Sequence, residues 1–150
     1  MSNLPERLRK RGWRLTAQRR VVAEVLTGNH VHPTADEVHT LASRQLPEIS
    51  RATVYNTLND LVTLGEIREV TTSARAKRYD PNAHHPHHHL ICTTCGTIRD
   101  ISPTIPPPPT LTAAETLGFT ITRTEVTFHG LCPTCTPHHP NTQAPSPSDT

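Results

Sequence analysis

Residues 50–65, SRATVYNTLNDLVTLG, decide the fold. Ser50 is a residue that accepts hydrogen bonds from the first free N–H groups of a helix, and Gly65 is one that tolerates the left-handed turn ending it. Between them Val54, Leu58 and Leu61 recur at i, i+4 and i+7, so the spacing predicts a helix with one face toward a core. The opposite face carries Arg51, Thr53, Tyr55, Asn56 and Asn59. These are hydrogen-bonding and aromatic groups displayed on a helix, and they need an aqueous or polar partner.

Upstream, three more helices are expected. Leu4 to Arg11 is short and basic and ends near Gly12; Thr16 caps a second, with Val21, Val22, Val25 and Leu26 inward and Gly28 as its stop; Thr34-Ala-Asp-Glu37 is a capping box. The third helix turns Ala35, Val38, Leu41 and Ala42 inward and closes before Pro47. Downstream, Ile67–Thr71 and Ala76–Asp80 read as two short strands around a polar turn. Helices followed by a hairpin make the winged form of a helix-turn-helix.

Charge agrees with that reading. Residues 1–80 hold 13 Lys+Arg against 9 Asp+Glu, whereas 81–150 hold 2 against 4. The basic residues Arg7, Arg9, Lys10, Arg11, Arg14, Arg19 and Arg20 suit a polyanion such as DNA, or else a solvated helix face. The opening MSNLPERLRKRGWRL has no apolar h-region, and no run of 18 apolar residues occurs, so a cytoplasmic protein with no membrane partner is expected.

The expected organisation is a DNA-binding domain over 1–80, a hinge linker PNAHHP over 81–86, a second small domain over 87–135 and a disordered tail over 136–150. Strands are expected near His87–Cys92, Thr97–Ile101 and Phe119–Phe128, with a bulge around Arg123–Val126 and a short helix near Thr112–Leu117. The run SPTIPPPPT over 102–110, including Pro106–Pro109, reads as a stiff connector. His138 and His139 in the tail are read as bystanders.

The four cysteines form two Cys-x-x-Cys pairs, Cys92/Cys95 and Cys132/Cys135. Without an export signal they have little reason to be structural disulfides, and two such pairs supply the all-sulfur tetrahedron of structural Zn2+. Thiol–disulfide redox chemistry is the alternative. With hydrophobic residues at 33% and aromatics at 3%, so thin a second domain gains from a fixed metal.

Residues 84–96, HHPHHHLICTTCG, place five histidines in six positions, mid-chain and followed by an apolar pair, which excludes an affinity tag. On a strand His87 and His89 share one face and form a chelating pair, with His88 on the other. A polar surface strand is the plainer alternative. Asp100, on an inward face beside Ile98, is costly there unless paired or metal-bound. Asp80 at the end of the wing and His32 before the third helix complete a candidate site of His32, Asp80, His87, His89 and Asp100, drawn from both halves and their joint.

The order GWRLTAQR, HPTADEV, ISRATVYNTLNDLVTLG, KRYD, HHHLICTTCG and LCPTC resembles the ferric uptake regulator family of metal-sensing repressors from about Leu8 to Cys135. Asp100, where iron-uptake members usually have Glu, and Asn56 after Tyr55, where they usually have Arg, resemble its peroxide-sensing, PerR/CatR-like branch. The resemblance implies an α+β homodimer: an N-terminal winged helix-turn-helix plus a small C-terminal α/β dimerisation domain with structural zinc. It also implies a regulatory Fe2+ or Mn2+ on the same five residues. Hydrogen peroxide is the implied signal, His32 or His87 gains oxygen, and peroxide-defence genes such as a catalase are the targets. The proline run and the spare His84, His85 and His88 depart from the family pattern.

A double-stranded DNA operator is the expected partner. Tyr55 can pack on a thymine methyl, Thr53 and Asn56 can bond base edges or phosphate, Arg14 matches a family position that enters the minor groove, and Arg19 and Arg51 suit phosphates. A zinc-dependent hydrolase or deaminase would use similar ligands, but no His-Glu-x-x-His or His-x-Glu signature is present. A metal buffer would bind metal without sequence-specific DNA binding. Within the family, an iron, zinc or nickel uptake regulator remains the alternative.

Overall fold

Each helix starts where a side chain can satisfy its free amides. In the structure, a computed structural model describing residues 3–27, 32–72, 76–102 and 110–138, the N-caps are Asn3, Thr16, Thr34 and Ser50. They open α1 (Leu4–Lys10), α2 (Ala17–Val25), α3 (Ala35–Gln45) and α4 (Arg51–Thr63). The predicted capping box is complete: Thr34 Oγ1 accepts from Glu37 N, and Glu37 Oε2 from Thr34 N at 2.9 Å. Gly28, the expected stop of α2, lies outside the described residues.

The end of α4 sets the course of the chain into the wing. Gly65 has φ of 72°, a conformation costly for any side chain with a Cβ. Gly65 N donates to Val62 O and Glu66 N to Leu61 O, the double closure that satisfies the last carbonyls. The chain thereby reverses and directs Glu66 and Ile67 inward, each about 1% exposed.

The predicted stripe is the core. Val54, Leu58 and Leu61 are fully buried with Leu8, Val22, Leu26, Val38, Ala42 and Tyr79. Leu41 departs from expectation at 39% exposed, although Val38 and Ala42 of the same helix are fully buried. The wing is the antiparallel pair β1 (Arg68–Thr71) and β2 (Lys77–Asp80), in register from Arg68 opposite Asp80 to Thr71 opposite Lys77.

The linker after Asp80 is anchored at both ends of its turn. Ala83 is buried, its carbonyl accepts from Arg68, and His84 Nε2 lies 3.1 Å from Glu66 Oε2. Beyond it, β3 (His88–Cys92) is the centre of a three-stranded sheet, antiparallel to β4 (Ile98–Ile101) and parallel to β5 (Thr127–Gly130). Among the described residues the fold is α+β, four α-helices and a wing followed by a small sheet.

Residues 110–126 correct the expectation. The strand predicted over 119–128 is limited to 127–130, and 112–117 forms turns rather than a helix. Thr112 and Glu115 do make reciprocal capping bonds, but six residues barely cover the cost of nucleating a helix. Leu117, Phe119 and Ile121 are 81%, 75% and 50% exposed, so among the described residues this segment has no apolar surface to pack on. In the expected tail, 136–138 form one 3-10 turn; 139–150, like the 103–109 part of the connector, lie outside the described residues.

Candidate metal centres and nucleic-acid face

The wing positions the first ligand. Tyr79 N donates to Pro33 O, Arg78 Nη1 donates to His32 O at 2.8 Å, and Thr34 bridges Arg78. These bonds lay the segment before α3 along β2 and bring His32 beside Asp80. The sheet positions the others: the β3–β4 register sets His89 opposite Asp100, and His87 precedes β3 on the same side as His89. His88 turns away, its Nδ1 accepting from Val126 N at 3.0 Å.

One donor atom from each of His32, His87, His89 and Asp100 lies within 4.8 Å of the others. His32 Nε2 is 2.9 Å from Asp100 Oδ1, and His87 Nε2 is 3.0 Å from His89 Nε2. Asp80 borders this group, with Oδ2 3.0 Å from His87 Nε2 and 3.8 Å from His89 Nε2. Its other oxygen accepts from Asn82 N, which orients the carboxylate. All five side chains are buried.

These short distances are not an ordinary hydrogen-bond network. Both nitrogens of His32 and Oδ2 of Asp80 are buried without an aligned hydrogen-bond partner among the described residues. Donor atoms crowded this closely, several of them without an aligned partner, fit a cation in their midst, and burying two carboxylates otherwise costs heavily. Burial lowers the pKa of His32 against the pull of Asp100 and Asp80, favouring the neutral imidazole a metal needs. Burial alone would raise Asp80, but the nearby His89 imidazole and the Asn82 N–H hold it below the usual carboxylate range.

The second group is sulfur. One Sγ from each of Cys92, Cys95, Cys132 and Cys135 lies within 4.8 Å of the rest, and none is in a disulfide. Cys95 Sγ is 3.8 Å from Cys132 Sγ. A tetrahedron with Zn–S bonds of about 2.3 Å has S–S edges of about 3.8 Å, so the arrangement fits zinc. Backbone N–H groups of Cys95 and Cys132 lower the Cys92 thiol to about 6, whereas the shared hydrogen bond with Cys132 pushes Cys135 up to about 12.

On the helical side, Arg14, Arg19, Thr53 and Asn56 line one groove with Thr16, Gln18, Thr57 and Asp60. Tyr55 projects outward at 44% exposure. Arg19 is held by Trp13, whose ring centroid is 4.3 Å from its guanidinium carbon, and by Asp60 at 3.2 Å. Arg51 pairs with Asp36. Two charged residues escaped the sequence reading. Glu125 accepts from His89 Nδ1 at 2.6 Å, and buried Glu66 joins Arg7, Arg11 and His84. No periodicity surrounds Glu125, and nothing in sequence marks a buried glutamate just past a helix stop.

An N-terminal winged helix-turn-helix followed by a small sheet with a four-cysteine group and a histidine/aspartate group defines a metal-responsive DNA-binding class. The ferric uptake regulator family model matches residues 10–129, and the chain belongs to that family. It is 38% identical over 133 residues to the peroxide-responsive repressor PerR of Staphylococcus epidermidis, covering 85% of each chain. It is 34% identical over 138 residues to the transcriptional regulator FurA of Mycobacterium tuberculosis, covering 90% of this chain and 93% of that one. Among solved structures, a zinc-bound manganese uptake regulator aligns with a TM-score of 0.68 at 26% identity, over 87% of this chain and 99% of that one. These relatives are regulators rather than enzymes.

Proposed function

We propose that this chain is a metal-dependent transcriptional repressor that senses peroxide. Cys92, Cys95, Cys132 and Cys135 hold structural Zn2+; His32, Asp80, His87, His89 and Asp100 hold a regulatory Fe2+ or Mn2+. The carrying observation is the shared cluster of His32, on the segment leading into α3, with His87, His89 and Asp100 beside and on the sheet. Residues 1–80 form the DNA-reading domain, 81–86 the hinge, 87–135 the dimerisation domain, and the protein works in the cytoplasm.

His32 bonded to the same centre as the sheet ligands fixes one orientation of α4 relative to the sheet. In a two-fold dimer, both reading helices meet half-sites only at matched spacing, so that orientation sets operator affinity. The exposed Leu111, Leu117, Phe119, Ile121 and Phe128 supply apolar surface for the second copy. Tyr55, Thr53 and Asn56 read bases in the major groove; Arg14 enters the minor groove, and Arg19 and Arg51 contact phosphates by exchanging their present partners.

When bound, Fe2+ would supply the reduction of hydrogen peroxide beside its ligands, one peroxide oxygen entering an imidazole C–H bond and the other leaving as water, and Mn2+ would supply little such reactivity. His32 and His87 are the imidazoles that gain oxygen. An oxidised imidazole would be a poor ligand, so oxygen on either residue would weaken the shared centre and free His32 from it, α4 would lose its fixed orientation, and catalase-type defence genes would be released. The test treats the iron-loaded protein with peroxide and maps added oxygen by peptide mass spectrometry alongside operator binding. Oxygen on His32 or His87 with lost binding is the expected result; an iron form inert to peroxide supports instead a metal-uptake regulator, the reading favoured by the likeness to a manganese uptake regulator.

A further inference from the structure

Among the three histidines of the cluster, one is held from behind by a carboxylate. His89 directs Nε2 toward His87 and Asp80, while its Nδ1 donates to Glu125 Oε1 at 2.6 Å. His87 Nδ1 meets uncharged groups, the His85 carbonyl at 2.7 Å and the Asn82 side-chain amide at 3.4 Å, and His32 Nδ1 has no hydrogen-bond partner among the described residues.

Glu125 is itself fixed. Its Oε2 accepts from Arg123 Nη2 at 2.8 Å, and the neighbouring Val126 carbonyl accepts from His89 N at 3.2 Å. The segment entering β5 is therefore laid along His89 by backbone as well as side chain, and the carboxylate is only 26% exposed.

We propose that Glu125 is a positioning residue for the regulatory metal. By accepting the Nδ1 proton it selects the tautomer whose Nε2 lone pair faces the cluster, locks the ring plane and makes the imidazole a stronger donor. His89 is then the pre-set ligand, and His32, whose Nδ1 meets no hydrogen-bond partner among the described residues, is the adjustable one from the other half. The inference rests on the metal-site reading under Proposed function.

The test uses the full, zinc-loaded chain and Mn2+ alone as probe, in a competition titration against a chelator. Removing such a partner weakens metal binding about 10- to 100-fold, the expected loss for Glu125→Ala. Glu125→Gln, which keeps an acceptor on the same stem, should recover most of it. The 15N shifts of His89 in the metal-free protein should report one tautomer in the wild type and a mixture in Glu125→Ala; a merely structural role would leave that ratio unmoved. Wild-type Mn2+ affinity in Glu125→Ala, an unchanged tautomer ratio, or Gln as weak as Ala would overturn the assignment. His87→Ala separates the two readings: it should lose Mn2+, and if it binds normally the metal-site reading fails and this inference with it.

Discussion

His32 Nε2 of the helical half stands 2.9 Å from Asp100 Oδ1 of β4. A cation held by both side chains cross-links the two halves, so it must stabilise the folded chain. At a free concentration of about 100 times its dissociation constant, a ligand stabilises by about 2.7 kcal/mol, or roughly 5–10 °C in a domain of this size. Scanning calorimetry of the zinc-loaded protein should show that rise with Mn2+, and His32→Ala should lose most of it. A full rise in His32→Ala would mean the sheet ligands suffice without the bridge.

The sulfur group predicts proton release. In the metal-free protein Cys92, at about 6, is already ionised at pH 7.5, whereas Cys135, at about 12, is protonated. Zinc takes thiolates, so binding must expel the Cys135 proton, and apparent affinity should climb as pH rises above neutrality. Zinc titrations in buffers of different ionisation enthalpy measure the protons directly. Release of none at pH 7.5 would contradict the unequal thiols.

Glu66 should confer an acid-sensitive share of stability. Burial opposes its charge, but hydrogen bonds from Arg7 and His84 hold its carboxyl below the ordinary 4.5. A depressed folded value stabilises fully above the unfolded one and fades as pH falls through the folded one. Glu66→Gln should therefore cost about 1–3 kcal/mol at pH 7 in urea unfolding, limited because Arg7 and Arg11 are exposed enough to rehydrate. The difference between variant and wild type should shrink below pH 4.5. A constant difference across pH would assign Glu66 a packing role alone.

What the sequence revealed divides by the range of the cause. Helices capped by Thr16, Thr34 and Ser50 were legible because cap, stripe and stop lie within one segment. The clustering of His87 with His89 followed from strand parity, although His87 sits just before β3 rather than on it. The parallel pairing of β3 with β5 was not legible, since register across a long crossover leaves no local pattern. Glu125 was hidden for the same reason. The strand predicted over 119–128 failed across 119–126 because β-propensity records a pleated surface with neighbours, and the described residues provide none there.

Tyr55 offers a test of the DNA-reading face that leaves the fold intact. It is 44% exposed on α4, opposite the buried Val54, Leu58 and Leu61, so Tyr55→Ala should change stability by less than about 0.5 kcal/mol. A lost base contact costs about 1–3 kcal/mol, so operator affinity should fall roughly 10- to 100-fold while binding to unrelated DNA barely changes. Arg14→Ala should behave differently: as a backbone or minor-groove charge it should weaken all sequences and reduce the salt slope by about 1. Fluorescence anisotropy at several salt concentrations, with operator and scrambled duplexes, separates the two. Equal losses on both duplexes for Tyr55→Ala would remove it from the reading surface and leave α4 as a charge-guided support.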